Sequence, residues 1–169
     1  MSRSPLADAF GHHVWATLRL LDACLPLSPA QLETTVPGTY GSILETIRHL
    51  VGADASYLFV LSGERVAEID ESGMNVGELR AVIEANGPAW MSVIDGPIDP
   101  DASVVRHRDD GIDSFAPLGI RLAQVVHHGT DHRSQICTAL TTIGIEPPAI
   151  DAWDFAASES RLAEFPRTT

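Results

Sequence analysis

Apolar positions recur at intervals of three and four along four long stretches of the chain, the spacing that puts one buried stripe on a helix. The first stretch runs from Leu6 to about Leu25 through Phe10, Val14, Leu18 and Leu21, with Ser4 placed to cap it, Pro5 in its first turn and Pro26 ending it. Ser28 to Leu32 reads as a capped single turn, and Val36 to Ser42 as a loop rich in turn formers. Ser42, with Glu45 three residues on, forms a capping box for a second helix that reaches Ser62-Gly63 and carries Ile43, Ile47, Leu50, Leu58 and Leu61 on one face. Asn75 caps a third, with Val76, Leu79, Val82, Ile83, Trp90, Val93 and Ile94; Gly87-Pro88 falls inside this pattern, which leaves open a kinked helix or two shorter ones.

From Ser103 to Phe115 the helical spacing lapses, and a short hairpin turning at Asp109-Asp110-Gly111 is predicted. A fourth and longest helix then starts at Pro117 and runs to Ile143, where Gly144 takes the terminating position and Pro147-Pro148 prevent resumption. A last turn or two of helix is predicted from about Asp154 to Phe165. The fold class expected is all-α, a four-helix bundle with a small β-hairpin inserted before the last long helix, as a single domain over residues 1–169.

The stripe of the fourth helix has a gap. Leu118, Leu122 and Val125 precede it, Ile136, Leu140 and Ile143 follow it, and the positions that would complete it are His128 and His132, so both imidazoles point toward the core. Side chains at i and i+4 stand about 6 Å apart on one helix face, which lets two ring nitrogens converge on one ion. Neutral imidazole is a ligand for zinc, nickel, copper and iron. Taken alone, the pair is equally a metal site or two satisfied core histidines, and a third ligand from elsewhere is needed. His49 supplies a candidate, in the middle of the second helix beside Gly52, Ala53 and Ser56, small residues that would let another helix approach. It reads equally as a half-buried polar residue next to Arg48.

Composition narrows the function. The net charge of −12, with 11 basic residues that are all arginine, argues against a nucleic-acid or anionic-membrane surface, since phosphate neutralisation needs a basic face. No run approaches the roughly 18 consecutive apolar residues of a membrane span. The opening residues Met1 to Pro5 lead into no apolar signal core, and Cys24 and Cys137 lie among apolar helical neighbours without a CxxC pattern, so free thiols in a reducing cytoplasm are expected.

Two segments carry a family resemblance. Gly41 to Leu50 resembles the entry to helix two of the DinB/YfiT-like superfamily of metal-binding four-helix bundles, and Val125 to Ile136 resembles its helix-four pattern, a His, three residues, then His-Arg-x-Gln. Trp15-Ala16, Leu140 to Gly144 and Asp151 are weaker echoes, and the likeness spans roughly residues 5 to 155. The resemblance implies that His49, His128 and His132 together ligate a divalent metal, zinc or nickel, as cofactor. His127 and His13 fall where the family often has Asn and inherit no ligand role; His12 and His107 stay unassigned.

Three protein ligands leave a coordination position for water or substrate. The enzymes that the resemblance brings in depend on low-molecular-weight thiols, mycothiol or bacillithiol, which implies a metal-dependent transferase acting on a small electrophile. The alternatives are a metal-dependent hydrolase and a non-enzymatic metal-binding stress protein, the latter because no general base is evident beyond the ligands. Asp131 lies roughly 80° from the mean direction of His128 and His132 and is expected in solvent. Arg133 is expected either as a helix–helix partner or as a substrate-binding group for carboxylates of the thiol. A homodimer paired through helices, with apolar positions of the third helix as its face, is also expected.

Overall fold

Each long helix begins where its capping residue stands. In the computed structural model, which describes residues 3–108 and 110–165, the Ser4 hydroxyl accepts the Ala7 N–H at 3.1 Å and opens α1 (Pro5–Cys24). Ser28 opens the single turn α2 (Pro29–Leu32). Ser42 and Asn75 open α3 (Ile43–Leu61) and α4 (Val76–Ile94), each through a reciprocal box with the glutamate three residues on. Strands β1 (Ser103–His107) and β2 (Asp113–Pro117) pair antiparallel, Val105 opposite Phe115. The turn holds Gly111 at φ +80°, where a side chain would be strained; Asp109, assigned to that turn above, lies outside the described residues. Pro117 offers no side-chain cap to α5 (Leu118–Thr142), and the hairpin's approach makes up for it: Leu118 N–H donates to Ala102 O and Gly119 N–H to Pro100 O.

The four long helices close a ring in which α1 packs on α4, α4 on α3, α3 on α5 and α5 on α1. Their stripes meet in two apolar clusters. One gathers Leu20, Leu21, Ile47, Leu50, Leu79, Ile83, Ile136 and Leu140; the other gathers Phe10, Leu58, Trp90, Leu122 and Val125. The hairpin is tied to α5 by the Arg121 guanidinium, which donates to Val104 O at 3.0 Å and Ser114 O at 2.8 Å.

Helix α4 runs unbroken through Pro88. The ring removes the N–H that would have met the Glu84 carbonyl, and both residues lie on the exposed face, where a missing helical bond costs least. Its apolar positions Val76, Leu79, Ile83, Trp90 and Ile94 are buried inside its own bundle.

The last helix is shifted from its expected place. It is α6 (Ala152–Ser158), not Asp154 to Phe165, because the Asp151 side chain caps it by accepting the Trp153 and Asp154 N–H groups. The chain leaves the helix at Ser160, whose φ is +56°, and Phe165 is 86% exposed. What docks is Phe155, buried against Trp15 and His12 of α1. Leu25, assigned above to the stripe of α1, is 48% exposed because the helix has already ended at Cys24.

Candidate metal centre

Helices α3 and α5 bring His49, His128 and His132 together, with one ligand atom from each lying within 4.8 Å of the others. His49 Nε2 and His128 Nε2 face each other at 3.1 Å. Two nitrogens at about 2.05 Å from a tetrahedral zinc would stand about 3.3 Å apart, so this pair already has the spacing of a ligand pair. His132 is buried and the other two are half-buried, an arrangement that points all three rings into the α3–α5 seam.

The rings are oriented by their neighbours. His132 Nδ1 lies 3.0 Å from Gln135 Oε1, an oxygen that can only accept, so Nδ1 carries the proton and Nε2 is left as the lone-pair donor. The same Gln135 oxygen accepts the Tyr40 backbone N–H at 3.0 Å, which fastens the loop before α3 to the histidine on α5. Tyr40 in turn stacks on His49, with ring centroids 4.0 Å apart and an interplanar angle of 9°. Tyr57 meets His128 edge-on at 5.7 Å.

Electrostatics favours the neutral form of His49 and His128. Burial pushes His128 down to about 4, with the charges that His132 and His49 would carry acting in the same direction. Burial also lowers His49, against an opposing pull from the Glu71 carboxylate. Neutral imidazoles have free lone pairs at pH 7, the state a metal requires.

Behind the histidines lies a buried polar layer that links all four long helices. The Asp54 carboxylate of α3 accepts three bonds: Oδ1 from His13 Nε2 (2.9 Å) and Trp90 Nε1 (3.0 Å), Oδ2 from Asn86 Nδ2 (2.9 Å). Arg133 Nη1 donates to His13 Nδ1 (3.1 Å) and Thr17 Oγ1 (3.1 Å), and Nη2 to Thr130 Oγ1 (3.2 Å). Since guanidinium only donates, Nδ1 of His13 accepts and its Nε2 holds the proton. Burial pulls Arg133 down to about 10, which leaves it charged at neutral pH. Of the two roles expected for Arg133, this position inside the bundle fits the helix–helix partner. Gly129 makes room for it, because a Cβ there would stand 2.5 Å from His13 Cε1.

The other histidines lie elsewhere. His12 Nε2 meets Ile150 O at 2.8 Å, His107 pairs with Asp113 at 2.8 Å, and His127 and Asp131 are exposed. Both cysteines are free thiols; burial pushes Cys24 up to about 12 and raises Cys137, so neither is a ready nucleophile.

Of the small residues of α3, Gly52 and Ser56 do not receive a helix. Gly52 instead admits Glu71, whose carboxylate lies 2.4 to 2.7 Å from where a Cβ would be. Ser56 donates to Glu68 Oε1 at 2.8 Å and accepts from Arg106 at 3.0 Å. Glu71 was missed in the sequence because it stands in an acidic loop with no periodicity. Asp54 had a signal, an acidic residue on the stripe between Leu50 and Leu58.

Across residues 1–165 the chain matches the DinB family. None of the curated proteins compared with it matches.

Proposed function

The chain belongs to the DinB family, and from that premise we propose that it holds one divalent ion, zinc or nickel, on His49, His128 and His132 and works as a transferase for a low-molecular-weight thiol of the mycothiol or bacillithiol kind. What carries the reading is the convergence of three imidazoles in the α3–α5 seam, one pair already 3.1 Å apart at Nε2. The residues present fit such an ion, since three nitrogen ligands leave a position for an incoming donor. When bound, the ion would lower the pKa of a coordinated thiol toward neutrality.

The chain's own side chains do the rest. Gln135 fixes the tautomer of His132, Tyr40 and Tyr57 limit the swing of His49 and His128, and the Asp54–His13–Arg133 layer holds α1, α3, α4 and α5 in register behind them.

Cobalt substitution tests the proposal. Adding a candidate thiol to the cobalt protein is expected to give a sulfur-to-metal charge-transfer band, and the thiol should be consumed by an electrophile faster with wild type than with His128→Ala. A panel of mycothiol, bacillithiol and glutathione that gave neither band nor rate difference would overturn the transferase reading.

A further inference from the structure

Strand β1 is paired on one side only. The phase of its ladder is set by the bonds at its two ends: Arg108 N–H donates to Ile112 O at 3.1 Å, and Leu118 N–H to Ala102 O at 2.8 Å. Backbone groups of an antiparallel strand alternate between its two edges, so the residues of β1 that bond to β2 are Val104, opposite Ala116, and Arg106, opposite Ser114. Ser103, Val105 and His107 turn their N–H and carbonyl groups the other way, and among the described residues no backbone partner meets them. The neighbouring guanidinium groups are engaged elsewhere. Arg121 donates to Val104 O and Ser114 O, and Arg106 to the Ser56 hydroxyl.

The outer edge is not sealed. A cleft of about 1010 Å³ runs along the whole of β1, lined also by Phe59 and Val60 of α3 and by Glu64 and Glu68 of the loop that follows. Donors and acceptors that recur at every second residue along an edge are matched by a second extended backbone with the same repeat. Charge then selects among such chains. Arg108 already pairs with Asp110, and Arg106 and Glu68 share the Ser56 hydroxyl at 3.0 and 2.8 Å. Glu64 has no ion-pair partner among the described residues, so a basic side chain is the complement, in a molecule of net charge −12. A second copy of the chain fits less well, because its own β1 would arrive with its own α3 and 63–68 loop along the same edge.

We propose that β1 is a docking edge for an extended basic segment of another protein, taken up by strand addition beside α3. The incoming chain bonds to Val105 and His107, turns alternate side chains toward Phe59 and Val60, and brings a lysine or arginine to Glu64. This role is independent of the ion and of the reaction proposed above.

The test follows the fluorescence anisotropy of a labelled, end-blocked hexapeptide, Val-Thr-Lys-Thr-Val-Thr, titrated with the full chain. Saturable binding below about 1 mM is expected. Two further probes carry N-methyl groups on alternate amides, one on the odd residues and one on the even. Only one of these sets can face β1, so one probe should bind at least about tenfold more weakly and the other about as well as the parent. Val105→Pro removes an outward N–H and spares the ladder to β2, so it should abolish binding with helical circular dichroism unchanged. Hydrogen exchange of the wild-type protein supplies a readout without any substitution: the Val105 and His107 amides should slow when peptide is added, and the Val104 and Arg106 amides, already bonded to β2, should not change. Glu64→Gln should weaken the lysine peptide about threefold and leave unmoved a probe with threonine in place of the lysine; an equal effect on both would overturn the choice of a basic segment. Equal binding of the two methylated probes, wild-type binding by Val105→Pro, or no saturation by about 1 mM would each overturn the proposal. So would self-association of wild type that Val105→Pro abolishes, which would give the edge to a second copy.

Discussion

His128 shows how far a single residue's surroundings set its chemistry. Half-buried beside two other imidazoles, it sits at about 4 against an ordinary 6.5. In between, the unfolded chain binds a proton that the folded chain does not, so stability rises with pH there. The contribution is fully present above about 6.5 and is lost as pH falls through about 4. The metal-free protein should therefore lose thermal stability on acidification across that window, and His128→Gln should lose less of it. Equal slopes for the two proteins, followed by circular dichroism, would contradict the assigned environment.

The long elements were legible because their stripes and caps agree. Ser42 with Glu45 and Asn75 with Glu78 mark the first residues of α3 and α4, and the gap at His128 and His132 marks the site on α5. The features that were not legible depend on partners far apart in the chain. Asp54 on the stripe of α3 makes sense only once His13, Asn86 and Trp90 stand around it, and Glu71 only once Gly52 faces it. At the end of α6 the apolar Leu162 and Phe165 drew the expected helix too far, since both are exposed and only Phe155 reaches the bundle.

Asp54 ties three other helices to α3 directly or through His13, which gives the polar layer a measurable role. Asp54→Ala leaves the Trp90, Asn86 and His13 donors unpaired and Arg133 without its compensating charge. A loss of about 3 kcal/mol or more in urea unfolding is expected. A loss within the ~0.5 kcal/mol of an ordinary surface substitution would show that the layer does not hold the helices.

At the scale of the whole molecule, the site is a seam in a bundle whose two apolar clusters are complete without it. The metal-free chain is therefore expected to stay folded, unlike a small zinc module, and an ion held there would add stability only by binding the folded form. No helix among the described residues is long and apolar enough to cross a membrane. The arrangement of caps, stripes and polar layer serves to hold three rings from two helices at one point. Elemental analysis of untagged wild-type protein beside His49→Ala, His128→Ala and His132→Ala tests that directly. The expected result is one equivalent of divalent metal in wild type and far less in each variant, with helical circular dichroism unchanged in all four. A full equivalent retained by each of the three variants would contradict it.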